Sequence, residues 1–399
     1  MKKVLLVAYG SGHIQMVVPV AQALQAHGLA QPVVLALTTA APVAHAAGLE
    51  TVQFKDFVTP GDAAALAHGR RLMQGLAGPV ADPDETAAYL GLSYADLELA
   101  VGPEAAAADY QRRGRQAFLP VPTLTRVLRQ LAPDLVLATN APRAERAAVL
   151  AARALGIPAI CLVDLFAIDE VQWIGAPDYA DRVCVLNASV RDFLVAAGRR
   201  EEQITITGNP AFDAINRPEV LVQGQDLRAS QGWGAKKVLL WPTQVEPATH
   251  PFDGRPGRPQ LPGAALAQLV QWVQARSDTV LVVRTRAGEA PPALPNDPRV
   301  VLTDQRWPLA PLLHATDVVV TLTSTVGLEG HLAGCRLVQV TGSVFDQAMP
   351  LARYGIADQA VPLQGLNPAL DHWVAQPRGP AQNTVSATQQ VLSVVAAFL

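Results

Sequence analysis

Short apolar runs alternate with longer amphipathic stretches along almost the whole chain. The runs are KVLLVAY, PVVLAL, LVLAT, AICLVD, RVCVL and ITITG in the first half, and KKVLLW, TVLVVRT, RVVLT, DVVVTL and RLVQV in the second. Strands that are apolar on both faces and are separated by helices are typical of parallel sheets with helices on both sides. The pattern therefore predicts an α/β protein built on doubly wound parallel sheets.

Two such sheets are expected, because each half of the chain begins with lysine before an apolar strand. We predict an N-terminal Rossmann-like domain at 1–216 and a C-terminal Rossmann-like domain at 236–383. The intervening residues, 217–235, contain Gly, Gln and Pro with weak periodicity, which indicates a linker. The amphipathic residues 384–399 predict a helix that packs back on the first domain. A less regular insertion at 55–121 is predicted to be helical with loops.

Composition narrows the class of protein. Half of the 399 residues are hydrophobic and 16% are charged, so a large core is easily formed. A net charge of −3 gives no electrostatic case for a nucleic-acid partner. No stretch approaches the ~20 apolar residues of a membrane span, and the apolar run after the first lysines is too short for a secretory segment. We expect a cytoplasmic protein, with peripheral membrane contact and the oligomeric state left open.

The turn after the first predicted strand is a candidate ligand site. Tyr9 ends the strand, and Gly-Ser-Gly-His follows before a helical pattern begins. Gly12 lets the backbone approach a ligand, and the free N–H groups at a helix start favour negative charge. Gln15 replaces the third glycine of the dinucleotide fingerprint, so NAD binding is disfavoured. At the helix start the dipole favours a neutral His13 imidazole, as a general base requires, although a capping or merely exposed histidine is the alternative.

A second candidate lies near the C-terminus, where VVVTLTSTVGLEGHLAG joins a strand to a short helix. Thr323, Ser324 and Thr325 end the strand at the carboxyl edge of the sheet, where open α/β sheets bind ligands. Their hydroxyls and the helix N–H groups offer uncharged donors to a diphosphate without a metal. Glu329 lies one turn further, where a carboxylate can accept two vicinal hydroxyls. A simple N-cap with a surface glutamate is the alternative.

Arginines follow two other predicted strands. Arg284 and Arg286 end a strand on the same side, and Arg284 is the candidate to neutralise a departing diphosphate. Surface ion pairs are an equally good interpretation. At an N-domain strand-to-helix turn, Asn140, Arg143, Glu145 and Arg146 form a candidate acceptor-binding or base-partner site. For Arg146 the alternative is capping or pairing along its own helix.

The remaining sequence gives no convincing metal site, because the histidines are scattered and an Asp-x-Asp at a strand end is absent. Three cysteines lie in apolar runs without metal-ligand spacing, which favours small buried side chains in a reducing compartment. The basic and aromatic stretch DYQRRGRQAF is interpreted as a solvated helix face, with contact to anionic lipid as the alternative.

The stretch GSGHIQMVVPVAQAL resembles the Gly-His-x-x-Pro region that opens GT-B glycosyltransferases, especially UDP-glycosyltransferases and the N-acetylglucosaminyl transferase of peptidoglycan synthesis. RWPLAPLLHATDVVVTLTSTVGLEGHLAG, followed by FDQ, is similar to their donor-binding region. The resemblance implies two Rossmann-like domains facing a central cleft. It also implies that the first domain binds a carbohydrate, lipid-linked or small-molecule acceptor and the second a nucleotide sugar, with no other cofactor.

The resemblance implies roles for individual residues. His13 falls on the base that deprotonates the acceptor, and Asp164 is expected to orient it. In the second domain Trp307 falls on the residue that packs against the nucleobase, and Glu329 on the acid that holds the ribose. The other donor-binding positions implied are the Thr243-Gln244 turn, which is similar to that of bacterial polymer-forming transferases, and the Asp346-Gln347 pair, which falls on the pair that recognises the donor sugar.

A competing resemblance leaves a second activity open. ITITGNPAFDAI and ALGIPAICLVD resemble segments of the UDP-N-acetylglucosamine 2-epimerases, which share the fold. Those enzymes have a Thr-x-His-Arg segment at the start of the second domain, and here neither basic residue follows Thr243. We therefore expect a glycosyltransferase using a nucleotide-diphosphate sugar, with UDP as the expected nucleotide, in polysaccharide or glycoconjugate synthesis. An epimerase or nucleotide-sugar hydrolase that needs no acceptor is the alternative.

Overall fold

The structure is a computed structural model that describes residues 1–76, 80, 82–251, 253–286, 288–303, 307–382 and 385–399. The chain forms two compact units. The first comprises Met1–Ala211 together with Val385–Leu399, and the second comprises Phe212–Thr384.

The first unit is built on one parallel sheet. Its strands are β1 (Lys3–Ala8), β2 (Gln31–Ala36), β3 (Thr51–Val52), β4 (Leu135–Thr139), β5 (Ala159–Leu162), β6 (Arg182–Val185) and β7 (Ile204–Ile206). They lie in the order β3-β2-β1-β4-β5-β6-β7. The order reverses between β1 and β4, and such a switch point is where open α/β sheets bind ligands.

Helices cover both faces of this sheet. They are α1 (Gly12–Ala26), α2 (Ala40–Ala46), α3 (Ala63–Met73), α4 (Pro83–Val101), α5 (Pro103–Arg113), α6 (Val121–Leu131), α7 (Ala144–Ala154), α8 (Val171–Ile174) and α9 (Ala188–Ala196). The insertion predicted as helical with loops contains α3, α4 and α5. The Asp82 carboxylate caps α4 by accepting from the Glu85 N–H, and Pro83 occupies the first helical position, where no donor is needed.

The second unit repeats the architecture. Its strands are β8 (Lys237–Pro242), β9 (Thr279–Arg284), β10 (Val300–Thr303), β11 (Val318–Thr321), β12 (Arg336–Thr341) and β13 (Gln359–Pro362), and its helices are α10 (Pro218–Ser230), α11 (Leu261–Gln274), α12 (Leu309–Ala315), α13 (Thr325–Leu332) and α14 (Leu366–Ala375). The strand order is β10-β9-β8-β11-β12-β13, with the switch between β8 and β11. The prediction of two doubly wound parallel-sheet domains is confirmed.

The cores consist of strands that are buried on both faces. Val4, Leu5, Leu6 and Val7 of β1 are fully buried, and so is the run from Val318 to Val320 in β11. These strands have no polar side chain over that length, so their polar side chains lie at the strand ends. The last helix, α15 (Ala387–Ala396), adds Val391 and Val395 to the core of the first unit and packs against α1.

Residues 217–235 differ from the linker that the sequence indicates. Most of this segment is α10, which packs against α12 within the second unit. The contact depends on Gly224, the only buried residue of α10, where a Cβ would overlap the Cβ of His314 and approach the Pro311 carbonyl oxygen at 2.9 Å. A helix that docks through a glycine has no apolar stripe, so its pattern resembles that of a linker.

We expect Gly224→Ala to destabilise the protein by about 1–3 kcal/mol, because the added methyl group must displace α12. The matched control is Gly263→Ala in α11, where nothing lies within 4 Å of the added Cβ. That change is expected to be neutral or stabilising by up to about 1 kcal/mol. Urea unfolding midpoints test the pair, and equal midpoints would contradict the packing role of Gly224.

Candidate functional site

The switch point of the first sheet brings three predicted site residues together. His13 follows β1 in the first turn of α1, Asn140 follows β4, and Asp164 lies two residues beyond β5. His13 Nε2 lies 4.0 Å from Asp164 Oδ2, and both side chains are partly exposed. His13 Nδ1 is buried and has no hydrogen-bond partner among the described residues. The imidazole is therefore placed beside a carboxylate but is not yet hydrogen-bonded to it.

Asp164 is fixed by its neighbours. Asn140 Nδ2 donates to Asp164 Oδ1 at 3.0 Å, and the Asp164 N–H donates back to Asn140 Oδ1 at 3.1 Å. The Leu165 N–H also donates to Asp164 Oδ1, which leaves Oδ2 as the oxygen nearest His13. Asn209, from the TGN segment, donates to the Asp164 carbonyl oxygen at 2.8 Å.

Two further acids lie at this edge: Glu145, which belongs to the strand-to-helix turn that the sequence indicates as a site, and Glu170, which sequence reasoning missed. Glu145 is buried and accepts from the Tyr9 N–H at 2.7 Å; burial raises its pKa, while the charges of His13 and Arg143 oppose the rise. Burial, followed by the nearby charge of Asp164, raises the pKa of Glu170 to about 7.

Arg143 and Gly12 lie at the same edge, Arg143 against the Tyr9 ring and Gly12 in an exposed position. The Arg143 guanidinium carbon lies 4.9 Å from the centre of the Tyr9 ring, and its Nε is buried without a partner in the described structure. Gly12 begins α1 in an exposed position, and nothing lies within 4 Å of where its Cβ would be. Close approach is instead required at Gly10, where a Cβ would overlap Thr39 Oγ1.

At the switch point of the second sheet, the Gln244 side chain accepts hydrogen bonds from the hydroxyl-rich turn after β11. Its Oε1 accepts from the Thr323 N–H at 2.8 Å, the Leu322 N–H at 3.2 Å and the Thr321 hydroxyl at 3.2 Å. The Ser324 N–H donates to Thr321 Oγ1. Two backbone N–H groups of the turn before α13 are therefore satisfied internally, by a residue from the loop after β8.

Three predicted site residues, Ser324, Thr325 and Glu329, lie at the start of α13. Ser324 Oγ caps α13 by accepting from the Val326 N–H at 3.3 Å, so its N-cap interpretation is observed. Thr325 is exposed in the first turn, and Glu329 is partly buried in the second. Burial raises the pKa of Glu329 to about 7 against the opposing charge of Arg284.

Arg284 and Thr243 are tied to neighbouring segments. Arg284 is buried at the end of β9 and donates from Nη1 to the Trp307 carbonyl oxygen at 2.6 Å. Thr243 Oγ1 donates to Glu289 and lies 3.2 Å from the Arg284 carbonyl oxygen. Trp307 is partly buried and packs edge-on against Trp233, with ring centres 5.8 Å apart.

The Asp346-Gln347 pair lies in the loop after β12. Asp346 Oδ2 accepts from the Gly342 N–H at 2.7 Å, burial raises its pKa, and Gln347 is exposed. Buried Glu246 holds the same loop by accepting from the Ser343 hydroxyl at 2.7 Å and the Val344 N–H at 2.8 Å. Sequence reasoning missed Glu246, because its partners lie almost a hundred residues away.

Among the described residues, no group of His, Cys, Asp and Glu side chains could hold a metal ion. In the same part of the chain, no helix has the length and apolar content to cross a membrane.

No protein-family model and no curated protein sequence matches this chain. Its structure is similar to the UDP-GlcNAc 2-epimerase of Methanocaldococcus jannaschii, with a TM-score of 0.60 and 11% identity over 98% of this chain and 99% of that one. The Neisseria meningitidis UDP-GlcNAc 2-epimerase bound to UDP-GlcNAc gives 0.58 and 13%, over 99% and 100%. The glycotransferase of kitacinnamycin gives 0.54 and 17%, over 100% and 95%. The chain therefore has the two-Rossmann GT-B fold that the sequence predicts.

Replacing Glu329 by glutamine should remove a pH dependence of stability. The folded-state pKa of about 7 lies above the ordinary value of 4.5, so the folded protein binds more protons within that window. The contribution of Glu329 to folding stability therefore falls as pH rises from 4.5 to 7. Relative to wild type, Glu329→Gln gains up to about 3 kcal/mol of folding stability between pH 4.5 and 7. Unfolding midpoints measured against pH test this, with exposed Glu219→Gln as the control; parallel curves for wild type and Glu329→Gln would refute it.

Proposed function

We propose that this protein is a metal-independent glycosyltransferase that moves a sugar from a UDP-sugar to an acceptor hydroxyl. One observation supports this most: the first sheet places an unpartnered histidine beside a carboxylate at its switch point. His13 lies next to Asp164, whose orientation is fixed by Asn140. A histidine beside a carboxylate supports deprotonation of a hydroxyl, because the carboxylate stabilises the imidazolium that forms.

In the proposed reaction, the acceptor oxygen forms a bond to the anomeric carbon as the bond from that carbon to the diphosphate breaks. The acceptor proton passes to the His13 imidazole, and the negative charge of Asp164 stabilises the imidazolium. The leaving diphosphate takes the electron pair of the broken bond. A single displacement of this kind inverts the anomeric centre.

The second unit is proposed to bind the nucleotide sugar. Glu329 would accept hydrogen bonds from the ribose hydroxyls, and Thr325, in the exposed first turn of α13, would donate to the diphosphate together with Thr323 and Ser324. Arg284 would supply positive charge from its buried position, and Trp307 would pack against the base. Thr243, Gln244, Asp346 and Gln347 complete the proposed donor site.

An epimerase or nucleotide-sugar hydrolase on the same scaffold is the second candidate. Similar solved structures include proteins named UDP-GlcNAc 2-epimerase, and Asn209 of the TGN segment holds the backbone of Asp164. Incubation with UDP-sugar alone separates the two activities. Release of UDP or a changed sugar without any acceptor favours the second candidate, and turnover that needs an acceptor favours transfer.

We expect His13→Ala to lower transfer by about 10²–10⁴-fold, because the general base is lost. UDP affinity should stay unchanged, since His13 belongs to the first unit. His27→Ala, at the exposed end of the same helix, is the matched control. UDP release from UDP-sugars with a panel of acceptors gives the rate, and calorimetry gives the affinity. Full activity of His13→Ala would exclude the proposed mechanism.

Glu329→Ala should weaken UDP binding by about tenfold or more, because the ribose loses a charged acceptor. Calorimetric titration with UDP measures the effect. Glu219→Ala, which removes an exposed carboxylate from the same unit, should bind UDP like the wild type. Equal affinities for all three proteins would show that the nucleotide does not contact Glu329.

A further inference from the structure

Two arginines from distant parts of the first unit converge on Tyr9, four residues before His13. Arg143 lies over the Tyr9 ring, and Arg115 Nη1 donates to the Tyr9 hydroxyl at 3.4 Å. Arg115 follows α5 in the insertion, whereas Arg143 precedes α7. All three side chains are partly exposed, so a ligand at the carboxyl edge of the sheet can reach them.

Neither arginine has an acidic partner among the described residues. Arg115 has the Tyr9 hydroxyl as its hydrogen-bond acceptor, and Arg143 donates no hydrogen bond there. The neighbouring arginines behave differently, because Arg112 and Arg113 both pair with Asp109 on their own helix. The basic stretch of the insertion thus divides into a solvated helix face and one arginine directed at Tyr9.

The acids nearest this pair are engaged elsewhere. Glu145 is buried and accepts from the Tyr9 N–H, and burial raises its pKa, so it compensates the arginines only in part. Asp164 accepts from Asn140 and faces His13. The buried Tyr89 hydroxyl adds a further donor without a partner in the described structure. The edge therefore has more hydrogen-bond donors and positive charge than its own acids satisfy.

We propose that the acceptor carries a phosphate group, which Arg115 and Arg143 bind beside Tyr9. The inference rests on the proposed function, because it names the class of acceptor that the His13 site would use. A guanidinium is planar and donates two parallel hydrogen bonds, which matches the geometry of phosphate oxygens. Binding the phosphate at Tyr9 would hold an attached hydroxyl close to His13.

The first experiment titrates the full chain with inorganic phosphate by calorimetry, with and without excess UDP to occupy the second unit. Arg115→Gln and Arg143→Gln should each weaken phosphate binding by about tenfold, because each removes a charged donor. Arg129→Gln is the matched control. Arg129 is exposed near the end of α6, which leads into β4, and so lies at the opposite edge of the sheet.

Two results would overturn the proposal: no phosphate binding by the wild type, or the same affinity in Arg129→Gln as in Arg115→Gln and Arg143→Gln. UDP titration of these variants separates the two ideas. If phosphate does not bind, or binds equally well without the arginines, while UDP affinity is normal, only the phosphorylated acceptor is rejected. Arginine-dependent phosphate binding by a protein without UDP affinity rejects the proposed donor site instead.

A second arm identifies the source of the phosphate. Phosphatidylcholine vesicles with and without phosphatidic acid are sedimented with wild type, Arg115→Gln and Arg143→Gln. Binding that requires both phosphatidic acid and the arginines supports a lipid-linked acceptor. Phosphate binding without vesicle binding supports a soluble phosphorylated acceptor. Vesicle binding that is equal in all three proteins rejects recognition of a lipid phosphate by these residues.

Discussion

The constraint on which the rest depends is that the central strands of each sheet are buried on both faces. A strand such as β1 is fully buried from Val4 to Ala8, so it cannot carry a polar side chain without a costly unpaired group. Chemistry is thereby restricted to the residues just beyond the strand ends. Parallel strands put all their carboxyl ends on one edge, and the reversal of strand order opens a gap there. His13, Asn140 and Asp164 meet for this reason, although they lie far apart in sequence.

The two sheet edges differ in how many of their polar groups already have hydrogen-bond partners. At the first edge, polar atoms remain without partners: His13 Nδ1 and Arg143 Nε are both buried with no hydrogen-bond partner among the described residues. At the second edge, Gln244 satisfies the turn after β11 from within. A diphosphate that used those same N–H groups would have to displace the amide, whereas Thr325 and Glu329 need no such change. At the second edge, the groups that are free of such internal hydrogen bonds lie in the first two turns of α13. At the first edge, buried polar atoms still have no hydrogen-bond partner among the described residues.

Much of the fold could be predicted from sequence, because strands buried on both faces leave continuous apolar runs and turns follow them at once. The same reason made three site positions predictable, because they directly follow apolar runs: Thr323, Ser324 and His13. What the sequence could not reveal depends on contacts between distant segments. Helix α10 packs through Gly224, which leaves no apolar stripe. Gln244 acts on residues 78 and 79 positions away, and Glu145 binds a backbone group 136 positions away. Such pairs have no local pattern.

The distance between His13 and Asp164 bears on how the proposed base would work. A separation of 4.0 Å is too long for a hydrogen bond but short enough for the carboxylate to stabilise a positive imidazole. Hydrogen bonds of a catalytic base often tighten only when the substrate is bound. Asp164 cannot approach freely, since Asn140 and the Leu165 N–H hold one of its oxygens. In the proposed transfer the imidazole would therefore be the group that moves, and a bound acceptor hydroxyl would bring it into line.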